Sequence, residues 1–341
     1  HVVFMNYVLA GTLWLALHRL FARDSTPHAS AKILTDWMPL MLSGAITAGI
    51  APLLFLQLLY KQPFYTANLL LFHRWMAILP VLIIGFYGLY LLKTNWFQRQ
   101  PRYLQRFLTF LPMLCIAFTG YSWTENHLLS LQSQSTWGAF YAQGGQHYAE
   151  PALGPRLLIW TLGAFPTLAV LLGWQHWYRG TGQPWPLARM AGLGMVLTLA
   201  ACFWFWTVAA EHSRQALLSP LALPYLLTAS LGILLQAIAW GIQVGYQTLQ
   251  RLPLVLSSLG LLMTLLGMTV VREALRLHAL GPGRLEQLYP LHAGVYGKGG
   301  FPLFLFFFVI NSLLVAYVFW LVRQRSRESP PGLATSKTSE N

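Results

Sequence analysis

Nine long apolar runs, separated by polar connections, divide most of this 341-residue chain. A helix needs about 20 predominantly apolar residues to cross the hydrocarbon core of a bilayer. Each run reaches or approaches that length, and the connections hold the Gly, Pro and polar residues typical of turns. The pattern therefore predicts nine transmembrane helices, over residues 1–21, 33–60, 70–93, 105–123, 155–178, 188–210, 224–249, 252–277 and 302–323.

The composition agrees with a membrane protein and excludes a soluble one. Hydrophobic residues make up 56% of the chain and charged residues only 9%, whereas a soluble domain carries about 25% charged residues. A membrane β-barrel would show short strands of alternating polarity, and these runs do not alternate. We therefore predict an all-α, polytopic membrane helix bundle in a lipid bilayer. It has one transmembrane domain over 1–323 and a polar, disordered cytoplasmic tail over 324–341.

Basic residues between the apolar runs set the predicted orientation. Cytoplasmic connections of membrane proteins are enriched in Lys and Arg. Of the 22 Lys and Arg residues, 14 lie on one side of the predicted bundle, which we expect to be cytoplasmic. The N-terminus is then outside and the C-terminus inside, in a multi-pass protein of the inner (cytoplasmic) membrane. Because topology explains the net charge of +13, no nucleic-acid partner is expected. The remaining eight basic residues are Lys61, Arg74, Arg156, Arg214, Arg272, Arg276, Arg284 and Lys298.

Ionisable side chains from five predicted helices gather at the predicted outer face. Such groups are costly at membrane depth and usually face a bundle interior or a cavity. We therefore predict a shared polar pocket near the outer surface. The alternative for any single residue is an ordinary interfacial position. The residues are His1, His73, Arg74, Arg156, Glu211, His212, Arg214, Arg272, Glu273, Arg276, His278 and, in the following connection, His292.

Two cofactors suit such a pocket. A neutral imidazole is an axial ligand for haem iron, and a quinone head group needs one or two hydrogen-bond partners and an apolar channel. His1 is the candidate iron ligand. Arg272 and Arg276, four residues apart on one helical face, are suited to clamp haem propionates, and the alternative is a local ion network with Glu273. The candidates for a second ligand, or for a proton acceptor from quinol, are His73, His212 and His292.

Several segments carry a resemblance to a known family. They are "HVVFMNYVLAGTLWLAL", "WMPLMLSGAITAGIAPLLFLQLLYKQPFY", "PRLLIWTLGAF" and "SPLALPYLLTASLG". Together with nine helices and an outside N-terminus, these segments resemble subunit I of the cytochrome bd quinol oxidases. The first opens with the His-x-x-Phe pattern of that family's first helix. The resemblance implies that His1 binds a b-type haem.

The chain also departs from the family pattern. Ile159 and Trp160 stand where a second histidine opens the fifth helix, and the seventh run, 224–249, lacks the ligating methionine. The third run, 70–93, has no acidic residue, and the quinol loop after helix six is reduced to 211–223. Only His1 therefore carries over as a ligand, and the resemblance implies electron transfer without oxygen reduction.

These observations favour a membrane-embedded electron-transfer subunit of a respiratory quinol–cytochrome oxidoreductase complex. It would move electrons between quinol and a periplasmic c-type cytochrome through b-type haem near the outer face. One alternative is a haem-free quinone-binding anchor whose redox centres lie in partner subunits. Another is a transporter, for which Pro80 and Pro166 are mid-helix breakers. For His1 itself, the alternatives are an interfacial histidine and a copper-chelating N-terminal residue.

Overall fold

The structure, a computed structural model, describes residues 1–21, 29–281 and 300–328, which form thirteen helices and no strand. This confirms the predicted all-α class. The helices are α1 Val2–Phe21, α2 Ala29–Leu59, α3 Lys61–Leu70, α4 Phe72–Leu91, α5 Asn95–Gln98, α6 Arg102–Ser130, α7 Gln134–Ala142, α8 Leu153–Tyr178, α9 Pro184–Val208, α10 Glu211–Leu217, α11 Leu223–Val244, α12 Arg251–Leu280 and α13 Gly300–Glu328.

Eight helices among the described residues are long and apolar enough to cross a membrane: α1, α2, α4, α6, α8, α9, α11 and α12. They confirm a multi-pass membrane protein. The ninth predicted span falls on α13, whose apolar stretch covers Pro302–Val318. This helix belongs to a second compact unit, residues 282–341, while residues 1–281 form the first. Helix α13 continues to Glu328, and the rest of the predicted tail lies outside the described residues.

Helix α1 is fixed among its neighbours by polar contacts as well as by buried apolar side chains. Asn6 Nδ2 donates to Thr167 Oγ1 at 2.9 Å, and the Tyr7 hydroxyl donates to Gln175 Oε1 at 3.1 Å. Both acceptors lie in the middle or last third of α8. Because buried polar groups need partners, these bonds fix the depth of α1 in the bundle, and with it the depth of His1.

Helices α11 and α12 approach closely through small residues. A Cβ added at Gly260 would lie 2.6 Å from the carbonyl oxygen of Gly232 on the facing helix, and one at Gly232 would lie 2.5 Å from that of Gly260. Gln236 Nε2 adds a bond to Thr264 Oγ1 at 3.1 Å. Small residues and interhelical hydrogen bonds hold helices together in lipid, where burial of apolar surface gives little driving force.

A cap of short helices covers the end of the bundle where α2 and α6 finish. Buried Ala67 and Leu71 pack against Leu129 at the end of α6, with Trp137 of α7 beside them. The Trp137 indole donates to the carbonyl oxygen of Leu129 at 2.7 Å. The cap places polar backbone and side chains over the membrane-spanning ends of α2, α6 and α12, where the candidate site lies.

Candidate functional site

A small cleft of about 20 Å³, partly open to solvent, lies between the ends of α2, α6 and α12. Its lining combines apolar and aromatic side chains with hydrogen-bonding and cationic groups. This is the composition expected of a small-molecule site. The lining residues are Leu56, Tyr60, Pro63, Phe64, Trp123, Asn126, His127, Ser130, Arg272, Arg276 and Leu280.

A polar network joins the three helices at this cleft. The Tyr60 hydroxyl donates to Glu273, and Arg276 Nη1 donates to the other carboxylate oxygen of Glu273 at 2.7 Å. The same guanidinium lies over the Tyr60 ring, 4.9 Å from its centroid, and its Nη2 donates to His127 Nδ1 at 3.3 Å. Arg276 is 6% exposed. Tyr60, Glu273, Arg276 and His127 therefore form one connected unit.

The surroundings of Tyr60 and Glu150 change their proton affinities. Burial raises the pKa of the Tyr60 phenol, and the hydrogen bond and charge of Glu273 raise it further. Burial also raises the pKa of the Glu150 carboxyl, against the lowering effect of Arg156. Both groups thus favour their protonated forms more than exposed side chains do.

Two further arginines lie on the α8 side of the cleft. Arg272 lies over the ring of Trp160, 4.9 Å from its centroid, and Arg156 lies over Phe205 at 5.1 Å. The Arg156 guanidinium is close enough for its charge to act on Arg272. The buried Nε of Arg156 has no hydrogen-bond partner within the part of the chain that the structure describes. This side of the site thus carries excess positive charge.

A buried carboxylate fastens the cap beside the cleft. Glu125 is fully buried and accepts from Arg74 and, at 2.7 Å, from the backbone N–H of Tyr148. Arg74 also donates to His147 and to the carbonyl oxygen of Gln146. Two charged groups from α4 and α6 therefore hold the segment after α7 against the bundle. Burial, followed by the charge of Glu150, raises the pKa of Tyr148 to about 12.

His1 lies apart from the cleft. Its Nδ1–H donates to the carbonyl oxygen of Ala45 at 2.7 Å. Its ring fills the space left by Gly49, where an added Cβ would lie 2.8 Å from Cε1. Gly49 is ten residues before the end of α2, or about 15 Å along the helix axis. His1 is thus level with the body of α2, well below the end of the bundle.

The predicted site residues accordingly separate into groups. Glu273 and Arg276 belong to the network at the cleft, whereas Arg272 lines the cleft without joining that network. His73 is exposed and contacts the ring of Phe72, and His212 is exposed on α10. Neither lines the cleft, and His292 lies outside the described residues.

The sequence reasoning missed Tyr60, Glu125 and His127. The hydropathy pattern predicts that Tyr60 is the last residue of an apolar span and that residues 124–154 form one long connection. The signal was the segment "TENH" directly after the fourth apolar run. Glu125 and His127 continue α6 beyond its apolar run. Such residues indicate that the end of the helix is polar and buried by protein.

Comparisons of the chain with protein-family models, with curated proteins and with solved structures find no match. The resemblance to the cytochrome bd subunit therefore stays a prediction from the quoted segments.

Proposed function

We propose that this chain is a membrane-embedded electron-transfer subunit that moves electrons between quinol and a periplasmic cytochrome, with a b-type haem bound by His1. The observation that carries the proposal is the setting of the His1 imidazole. Because Nδ1–H donates to Ala45, the neutral ring presents the lone pair of Nε2. A carbonyl partner on the other nitrogen is the usual support for a metal-ligating histidine.

The residues around His1 fit an axial ligand in a second respect. Gly49 leaves a cradle that a Cβ would fill, so the ring is held by shape as well as by its hydrogen bond. A bound haem would supply one-electron redox chemistry. The chain itself contributes the tautomer and orientation of His1. Arg276, which packs on Tyr60 about 16 Å further along α2 than Gly49, is assigned to the cleft rather than to propionates of this haem.

The cleft supports the quinol end of the proposal. Leu56, Phe64 and Trp123 provide apolar surface for a prenyl tail and ring, and Tyr60 and Arg276 provide hydrogen-bonding groups. The oxygen of Tyr60 accepts a bond from a quinol hydroxyl while its own proton points to Glu273. A proton leaving quinol is thus taken up by Tyr60 as Tyr60 passes its proton to the carboxylate. The Glu273 side chain is 40% exposed, which gives that proton a route out.

The absorbance spectrum of the purified full chain tests the haem assignment. We expect a Soret band and a reduced-minus-oxidised b-type spectrum that His1→Ala removes and Gly49→Ala weakens, because the added Cβ displaces the ring. His73→Ala is the matched control, since His73 is exposed and lies outside both sites. A colourless wild-type protein, or a band that survives His1→Ala, contradicts the assignment.

A haem-free quinone-binding anchor is the second candidate. The cleft favours it because Tyr60 and Arg276 offer a quinone hydrogen bonds without a metal. Photolabelling with an azidoquinone separates the two candidates. The anchor is expected to be colourless and still labelled near Trp123, and Tyr60→Phe and Arg276→Gln should each reduce labelling about tenfold. His212→Ala, on exposed α10, is the control. Labelling that is unaffected by either cleft variant would remove the quinone site from both candidates.

A further inference from the structure

We propose that Arg156 and Arg272 form a binding site for a phosphate group between α8 and α12, and that the head group of an anionic phospholipid occupies it. The site adjoins the cleft through Arg272, but the inference does not rest on electron transfer. It concerns the two arginines that the Tyr60–Glu273–Arg276 network leaves unpaired.

The charge balance is the first argument. Glu273 is paired with Arg276, and the ion pairs within 4.0 Å in the described residues include none to Arg156 or Arg272. Glu150 acts on Arg156, and Glu273 acts on Arg272, only from beyond ion-pair distance. Two like charges that act on each other at a membrane boundary are costly without a counter-charge. An anion between them removes that cost.

The orientation of the guanidinium groups is the second argument. Each lies over one aromatic ring, Arg156 over Phe205 and Arg272 over Trp160, a contact that restricts where the group can lie. The Nε of Arg156 is buried and has no partner in the described chain. The planar guanidinium group matches the oxygens of a phosphate, which accepts two parallel N–H bonds.

The position on the bundle indicates a lipid as the source of the phosphate. Trp160 is 38% exposed and Trp204, which packs against Gly154, is 44% exposed. Leu158 on the same stretch of α8 is also exposed. Exposed tryptophans beside apolar residues mark the level of lipid head groups, and basic pockets between membrane helices bind anionic head groups.

Thermal unfolding of the detergent-purified full chain, titrated with three probes, tests the site. The probes are phosphatidylglycerol, phosphatidylcholine and inorganic phosphate. We expect phosphatidylglycerol to raise the unfolding midpoint, with an apparent affinity that Arg156→Gln and Arg272→Gln each weaken about tenfold. Arg156→Lys keeps the positive charge but loses the two-pronged hydrogen bonding of the guanidinium, so it should weaken the affinity less than Arg156→Gln does. Arg251→Gln, at an exposed arginine at the opposite end of α12, should leave the affinity unchanged.

The outcomes distinguish a lipid phosphate from free phosphate, and they also test the proposal itself. If inorganic phosphate raises the midpoint with the same dependence on Arg156 and Arg272, the site takes phosphate but the source is the free anion. If phosphatidylcholine stabilises as well as phosphatidylglycerol, or if the effect survives both Gln variants, the proposal is wrong. If the Gln variants do not fold, native mass spectrometry of the wild type decides, and the absence of retained phosphatidylglycerol overturns the lipid assignment. None of these results depends on haem or quinone binding.

Discussion

At the scale of single residues, the carboxylate of Glu125 has the strongest expected effect on stability. It is fully buried and bound by Arg74, whose side chain is itself only 13% exposed. Removing one partner of a buried ion pair leaves the other charge uncompensated and costs about 3–5 kcal/mol. We therefore expect Glu125→Gln to lower the free energy of unfolding by about 3 kcal/mol, measured by denaturant titration in detergent. Glu211→Gln, at an exposed ion pair, should cost less than about 1 kcal/mol; equal losses would contradict this account.

Tyr60 gives a prediction for pH at the same scale. Because its pKa is raised in the folded state, the folded chain keeps the phenol proton at pH values where the unfolded chain has released it. The resulting stabilisation is complete below a pH of about 10, the ordinary pKa of tyrosine, and is lost as the pH rises through the folded-state value. The unfolding midpoint should therefore fall more steeply above pH 10 in the wild type than in Tyr60→Phe. Tyr65→Phe, at an exposed tyrosine, should behave as the wild type does.

At the scale of helices, the close approach of α11 and α12 predicts a strong effect from one methyl group. A Cβ at Gly260 meets the backbone of α11, which cannot move as a flexible side chain can. We expect Gly260→Ala to lower the free energy of unfolding by about 1–3 kcal/mol through overpacking. At Gly241 of α11 an added Cβ meets nothing within 4 Å, so Gly241→Ala should be neutral or stabilise by about 0.5 kcal/mol. Unfolding midpoints of the two variants, compared in one detergent, check this difference.

Also at this scale, apolar runs predicted where the long helices lie because hydropathy is a local property of the sequence. Hydropathy did not predict that α6 continues to Ser130. Its last turns are polar, and the cap buries them instead of lipid. The depth of His1 was not predictable either. It depends on which residues of α8 accept hydrogen bonds from Asn6 and Tyr7, and nothing in the α1 sequence specifies them.

The candidate site was predictable to the extent that its residues share one helix. Arg272, Glu273 and Arg276 lie within five residues of α12, and an ion network with Glu273 was the alternative to the predicted propionate clamp. Tyr60 and His127 come from helices far away in the sequence, and only tertiary packing brings them to Arg276. Residues that meet through packing leave no periodic signal in the sequence.

For the whole molecule, the orientation in the membrane decides which compartment the cleft serves. The distribution of Lys and Arg predicts that the cleft end is outside, where the proposed quinol oxidation would release protons and the proposed periplasmic cytochrome would dock. Two exposed tyrosines at opposite ends of the bundle form a matched pair for testing this: Tyr141 on α7, at the cleft end, is 78% exposed, and Tyr178, at the end of α8, is 83% exposed.

In a variant without Cys115 and Cys202, Tyr141→Cys should react with a membrane-impermeant thiol reagent in intact spheroplasts. Tyr178→Cys should react only after the membrane is permeabilised, because the bilayer separates it from the reagent. Both positions are so exposed that the substitutions remove no buried contact, and equal labelling after permeabilisation controls for thiol reactivity. The reverse pattern would place the cleft on the cytoplasmic side. Glu273 would then release protons inward, and a periplasmic cytochrome could not be the partner at this face.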